Sequence, residues 1–293
     1  MNEQLSYSLL NRHPQNDLES GPRATRLSCS PATDSAMRYA LILTVVLSAC
    51  GSPGSPRLET AADSLAFDIT EGVGGLDVWE QMPGLEWEWA VVRDSTELVR
   101  TRHVWDKKGD RARVEWPGGQ DSVWVAVYSP STFDEDAPVG EVALNGMAIR
   151  GPEAGERLSE ANGRFINDGY WLFAPIKVLD PGVRRDLDAT PMGDRLALSF
   201  ENVGLTPGDR YWIEVEPATR SMTGWAYVLE GSGEPETRWS WTEPIELTTG
   251  AGTITLARMK VSDDEQTVIL TEPTALDEID EAEFTDLTPR LGR

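Results

Sequence analysis

Few residues in this chain have types and spacing that suggest chemistry. Cys50 closes the run Leu47-Ser48-Ala49-Cys50-Gly51, and the one histidine after it is His103, flanked by Arg102 and Val104. Catalysis needs a base, a nucleophile or a metal held in place. Beyond Cys50 the chain offers one His, no further Cys and no HExxH spacing. A lone His in a strand is more often structural than a ligand, because zinc sites want three or four clustered ligands. Acidic neighbours such as Glu86/Glu88 and Asp134-Glu135-Asp136 are plentiful. In so acidic a chain most carboxylates are solvated, and their spacing is not that of a calcium loop. Gly72-Val73-Gly74-Gly75 lacks the phosphate-binding glycine spacing. The expectation is a protein that is not an enzyme, with no catalytic residues, no metal and no cofactor.

Cys50 suits a different chemistry. The apolar stretch 39–46 precedes it and Arg38 precedes that stretch, so the whole resembles the lipobox of a bacterial lipoprotein signal peptide. The apolar core is far too short to span a bilayer. The resemblance implies cleavage before Cys50 and acylation of its thiol, each buried methylene contributing about 0.8 kcal/mol of membrane affinity. Residues 1–36 then read as an upstream extension, 37–49 as the signal and 50–57 as the lipidated Cys with a Gly/Ser/Pro tether. Gly51 in place of Asp implies, by analogy with Gram-negative sorting, a lipid-anchored protein on the periplasmic face of the outer membrane. With Cys29 upstream of the cut, no disulfide is expected.

Acidic and basic residues are equally frequent before Cys50, so the whole formal charge of −23 lies in the part after it. A surface of that sign repels nucleic acid phosphates and anionic headgroups, so neither is expected as a partner. Only four of the 26 basic residues are lysine, and all eleven Trp follow Cys50, which gives the core an aromatic bias.

The elements that must position these residues are mostly strands. Helical spacing covers 58–82 as two short helices broken at Gly72–Gly75, and again 158–172 within the segment 152–178, ending before Pro175. Period-two patterns mark strands at 85–89, 98–105, 111–116, 122–128, 195–201, 210–216, 224–229, 237–241, 245–248, 253–259 and 267–270. Asn145-Gly146 predicts a two-residue hairpin between 142–144 and 147–149. One domain over 58–271 is expected, followed by an acidic, loosely held tail over 272–293.

Two clusters are signature-like. The first is Asn167-Asp168-Gly169-Tyr170-Trp171-Leu172 with Pro175, Lys177 and Asp180-Pro181-Gly182-Val183; the second runs from Gly204 to Tyr211. In the second, Pro207 presets φ, Gly208 is expected at positive φ, and Asp209 bonds backbone amides before Tyr211 opens a strand. In the first, the aromatics anchor a helix end and Lys177 pairs with Asp180 or Asp168.

Over residues 65–270 these clusters resemble a group of exported bacterial proteins with no assigned reaction, patterned NDxYWLxxPxKxxDPGV and GxTPGDxY. Ile176 departs from that pattern, which usually has an aromatic there. The group is similar in architecture to the LolA/LolB-like lipoprotein-sorting half-barrels of the Gram-negative envelope. The resemblance implies a mainly β (α+β) fold in which a curved antiparallel sheet wraps around a few helices. The expected function is an envelope lipoprotein that holds a hydrophobic ligand against Trp87, Trp89, Tyr170, Trp171 and Tyr211. The alternative is a sealed interaction module that contacts another envelope protein and holds no ligand.

Overall fold

The computed structural model describes residues 58–191, 193–200, 208–231 and 236–292. The expectations for Cys50, the tether and Pro207 lie outside the described residues. Helix α1 (Ala61–Gly72) starts at a capping box: Thr60 Oγ1 accepts from the Asp63 amide at 3.0 Å, and Asp63 Oδ2 accepts from the Thr60 amide at 3.1 Å. After the glycine break comes α2 (Leu76–Gln81). The first meander follows as β1 (Gly84–Arg93), β2 (Thr96–Asp106), β3 (Arg111–Gly119), β4 (Ser122–Tyr128), β5 (Gly140–Leu144) and β6 (Met147–Ile149). Asn145 (φ 51°) and Gly146 (φ 80°) both take the left-handed conformation that the tight β5–β6 hairpin requires.

Helices α3 (Pro152–Leu172) and α4 (Ala174–Lys177) interrupt the strands. A second meander then runs through β7 (Val183–Thr190), β8 (Gly193–Phe200), β9 (Arg210–Val215), β10 (Met222–Val228), β11 (Thr237–Thr249), β12 (Gly252–Ser262) and β13 (Thr267–Thr271). The two meanders join where β1 pairs β13, giving one antiparallel sheet from edge β6 to edge β7, with β14 (Thr274–Leu276) added to the start of β1. The sheet is curved and unclosed, in the manner of a half-barrel. Its two edges are consecutive in sequence, so the connection through α3 and α4 carries the chain from one edge to the other. Among the described residues no helix is long and apolar enough to cross a membrane.

Alternation decides what each face of the sheet holds. Trp87 pairs His103 and His103 pairs Val114, which puts all three on the inner face with the helices. There Leu65 and Ile69 of α1, Trp79 of α2, Leu172 of α3 and Ile176 of α4 pack with Leu85, Trp87 and Trp89. A second cluster joins Leu158 and Ala161 of α3 to Val114, Trp116 and Val142, and Phe165 packs on both.

The intervening residues Arg102, Arg113 and Glu115 face outward, where the end of the chain covers them. Arg113, fully buried, donates to the carbonyls of Glu283 (2.8 Å), Asp286 (2.6 Å) and Thr288 (2.8 Å). Glu115 Oε2 accepts from the amides of Arg290 (2.6 Å) and Leu291 (2.8 Å), and Arg102 pairs Glu283 at 2.9 Å. The expected loose tail is therefore corrected. The short helix α5 (Ala282–Thr285) and the residues after it form a clasp held by ionic and backbone bonds. Strand β7 was not foreseen, and β11 runs unbroken through Pro244 where two strands were expected.

Candidate functional site

Between α3, α4 and the inner face lies a cavity of about 280 Å³. Alternation along β1 and β2 brings in Trp87 and Trp105, helical spacing along α3 brings in Phe165, Gly169, Tyr170 and Trp171, and the end of α4 with the turn after it contributes Lys177, Asp180 and Pro181. Phe200 and Tyr211 close the far side. The rings form a continuous wall. Tyr170 meets Phe200 edge-on at 5.3 Å, Phe200 meets Tyr211 at 5.5 Å, and Tyr211 meets Trp171 at 5.0 Å. From Trp171 the wall extends into the sheet as a near-parallel stack, 5.2 Å to Trp225 and 5.7 Å onward to Trp239.

Four of the five expected ligand-facing residues, Trp87, Tyr170, Trp171 and Tyr211, thus line one cavity. Trp89 does not. It packs beside Lys260, whose Nζ lies 5.5 Å from the Trp89 ring and 5.5 Å from the Trp241 ring. Lys260 donates to the Ala257 carbonyl (2.7 Å) and to Thr271 Oγ1 (2.9 Å), and burial pushes its ammonium far below the usual lysine range.

The signature residues act as positioning groups. Lys177 Nζ donates to Asp180 Oδ2 at 2.8 Å. Asp168 instead meets His103, Nε2 to Oδ2 at 2.9 Å, while Asn167 Nδ2 donates to the other Asp168 oxygen at 3.0 Å. His103 is fully buried and stacked on Trp87, with ring centroids 4.6 Å apart. The indole N–H of Trp87, Nδ1 of His103 and the Tyr170 hydroxyl are buried without a hydrogen-bond partner among the described residues. Burial, reinforced by Asp180 and Tyr211, pushes the Tyr170 phenol well above its ordinary range. Burial lowers the Arg164 guanidinium to about 10 against the opposing pull of Asp168.

Asp209 bonds a backbone amide as expected, but that of Glu230, 21 positions on, rather than one of its own turn: Oδ1 accepts from the Glu230 amide at 2.7 Å and Oδ2 from the Tyr211 hydroxyl at 2.8 Å, which sets the Tyr211 ring. The expectation of positive φ at Gly208 is corrected, since it is not among the left-handed glycines. A Cβ there would lie 2.3 Å from the Glu230 carboxyl group, so that exposed side chain would have to swing aside.

Trp105, Phe173 and Phe200 belong to the cavity without having been foreseen there. Alternation from His103 places Trp105 on the inner face, and that signal was present in the sequence.

The fold and site together define a curved, open antiparallel sheet with helices on its inner face and an aromatic cavity beneath them. No protein-family model matches the chain, and no curated protein does. Among solved structures, a DUF1329 family protein from Desulfovibrio piger is similar at 11% identity and a TM-score of 0.39, over 75% of this chain and 94% of that one. Neither figure assigns this chain to that family.

Proposed function

We propose that this protein is a lipid-anchored envelope protein that holds a hydrophobic ligand in the cavity between α3 and the inner face of the sheet. The observation that carries the reading is the aromatic wall from Tyr170 to Tyr211 around about 280 Å³ of space. That volume lies just below the usual range of ligand pockets, roughly 300–1,000 Å³. It suits one short chain or ring system rather than the whole lipid part of another lipoprotein. A binding role rather than a catalytic one is supported by His103, whose Nε2 is engaged by Asp168 and whose ring is fully buried. The anchor rests on the sequence around Cys50 alone, and with it the outer-membrane location and the membrane as partner.

The test is to isolate the full chain from a Gram-negative envelope and analyse it by native mass spectrometry and solvent extraction. The proposal expects acyl mass on Cys50, loss of membrane association in Cys50→Ser, and a copurifying apolar molecule near one per chain. A clean apo mass over repeated preparations would favour the sealed interaction module, and an unmodified Cys50 would remove the anchor.

A further inference from the structure

Lysine is scarce in this chain, four residues within a net charge of −23, yet Lys107 feels the charge of both Lys108 and Lys177 and lies behind a ring of the cavity wall. Lys177 lines the cavity. Lys107 and Lys108 follow β2 directly, and Lys107 Nζ lies 3.9 Å from the centroid of the Trp79 ring and 5.7 Å from that of Trp105, a cavity wall. Trp79 in turn packs on Phe173, another wall, at 4.9 Å. Asp180 takes up the charge of Lys177. Lys107 has no carboxylate within ion-pair distance among the described residues; its ammonium donates to the Trp79 carbonyl.

A half-buried cation that donates to a carbonyl, faces two aromatic rings and has Glu80 only beyond ion-pair distance keeps much of its charge uncompensated. Burial, with added repulsion from Lys177 and Lys108 and an opposing pull from Glu80, brings the Lys107 ammonium down to about 8. An anion placed beside it would relieve this cost, and the adjoining aromatic wall has no use for a charge. The two features therefore call for one molecule with two ends.

We propose that the cavity takes an anionic amphiphile, with its apolar chain against the Phe165–Trp171 wall and its carboxylate or phosphate at Lys107. This rests on the cavity being a ligand site, and it adds the class of ligand.

The test uses the full chain carrying Cys50→Ser in detergent-free buffer, titrated with octanol, octanoate and octyl phosphate and followed by tryptophan fluorescence. The proposal expects at least one of the two anions to bind about tenfold more tightly than octanol, the size of one charge-assisted hydrogen bond. The tighter anion identifies the headgroup. The gap should close in Lys107→Met and persist in Lys107→Arg. Equal affinity for all three probes in the unsubstituted cavity would overturn the anionic end while leaving the cavity as an apolar site. A gap that survives in Lys107→Met would overturn the role of Lys107. No binding by any probe would overturn the cavity reading itself.

Discussion

His103 on β2 and Asp168 on α3 meet at 2.9 Å, both buried, and this contact ties the longest helix to the centre of the sheet. The indole of Trp87 stacks on one face of the imidazole and Phe165 approaches at 6.2 Å, so the pair sits directly behind the cavity wall. A hydrogen-bonded pair in that position holds the angle of α3, and hence the separation of Tyr170 and Trp171 from the strands opposite.

Asp168→Ala should therefore cost about 3 kcal/mol, because it leaves the fully buried His103 without its acceptor. Urea unfolding at neutral pH measures this. A loss below about 0.5 kcal/mol, the range of ordinary surface changes, would mean that the contact does not hold the helix.

The clasp formed by the end of the chain predicts a specific acid response. Burial raises the Glu283 carboxyl, but Arg102, Arg290 and Arg113 outweigh it and hold the group below its ordinary value of 4.5. A depressed folded value contributes stability that is present above the unfolded value and is lost as pH falls through the folded one. Stability against heat should thus fall as pH drops below about 4.5, with amide exchange rising first over 282–291. Glu283→Gln should flatten that part of the profile. A profile identical to that of the unsubstituted chain would show that Glu283 is not the group responsible.

Removing the clasp should be costly at neutral pH as well. Arg113 spends its guanidinium on three carbonyls of residues 283–288 and on Glu115. Arg113→Met should lower stability by roughly 3 kcal/mol, because three buried carbonyls of the clasp lose their donor and Glu115 keeps only Arg102 and two backbone amides. Differential scanning calorimetry would read this as a drop of several degrees in Tm.

Two glycines should respond to alanine in opposite directions. At Gly224 a Cβ would stand 2.3 Å from the Trp239 backbone oxygen, so Gly224→Ala should destabilise by about 1–3 kcal/mol and disturb the Trp171–Trp225–Trp239 stack. At Gly155 in α3 nothing lies within 4 Å, so Gly155→Ala should stabilise by about 0.5–1 kcal/mol through helix propensity. Chemical denaturation of the two variants side by side measures both.

The legibility of this fold follows from what kind of force holds each part. Where burial is one-sided, as in β1, the alternation of Leu85, Trp87 and Trp89 against Glu86 and Glu88 shows in the sequence, and so does the Asn145-Gly146 hairpin. Strand β7 escaped because it is a sheet edge with charged and exposed residues, including Arg184, Asp186 and Leu187, and so shows no apolar period. The end of the chain looked loose because its bonds are ionic and backbone contacts to β2 and β3, more than 160 positions earlier, and no local window registers those. His103 looked solitary for the same reason, since Asp168 lies 65 positions away. Of the candidate site, Tyr170, Trp171 and Tyr211 were legible as aromatics of signature clusters. Trp89 was misplaced because alternation gives the face of a residue and not its position along the strand.

The most direct measurement for the central claim is equilibrium binding of the uncharged fluorophore N-phenyl-1-naphthylamine to the full chain with Cys50→Ser, read by energy transfer from tryptophan. A ligand cavity gives saturable binding at one probe per chain, with emission shifted to the blue and displacement by octanol. Signal that rises linearly without saturation, or no transfer at all, would contradict a ligand cavity walled by Trp87, Trp105 and Trp171.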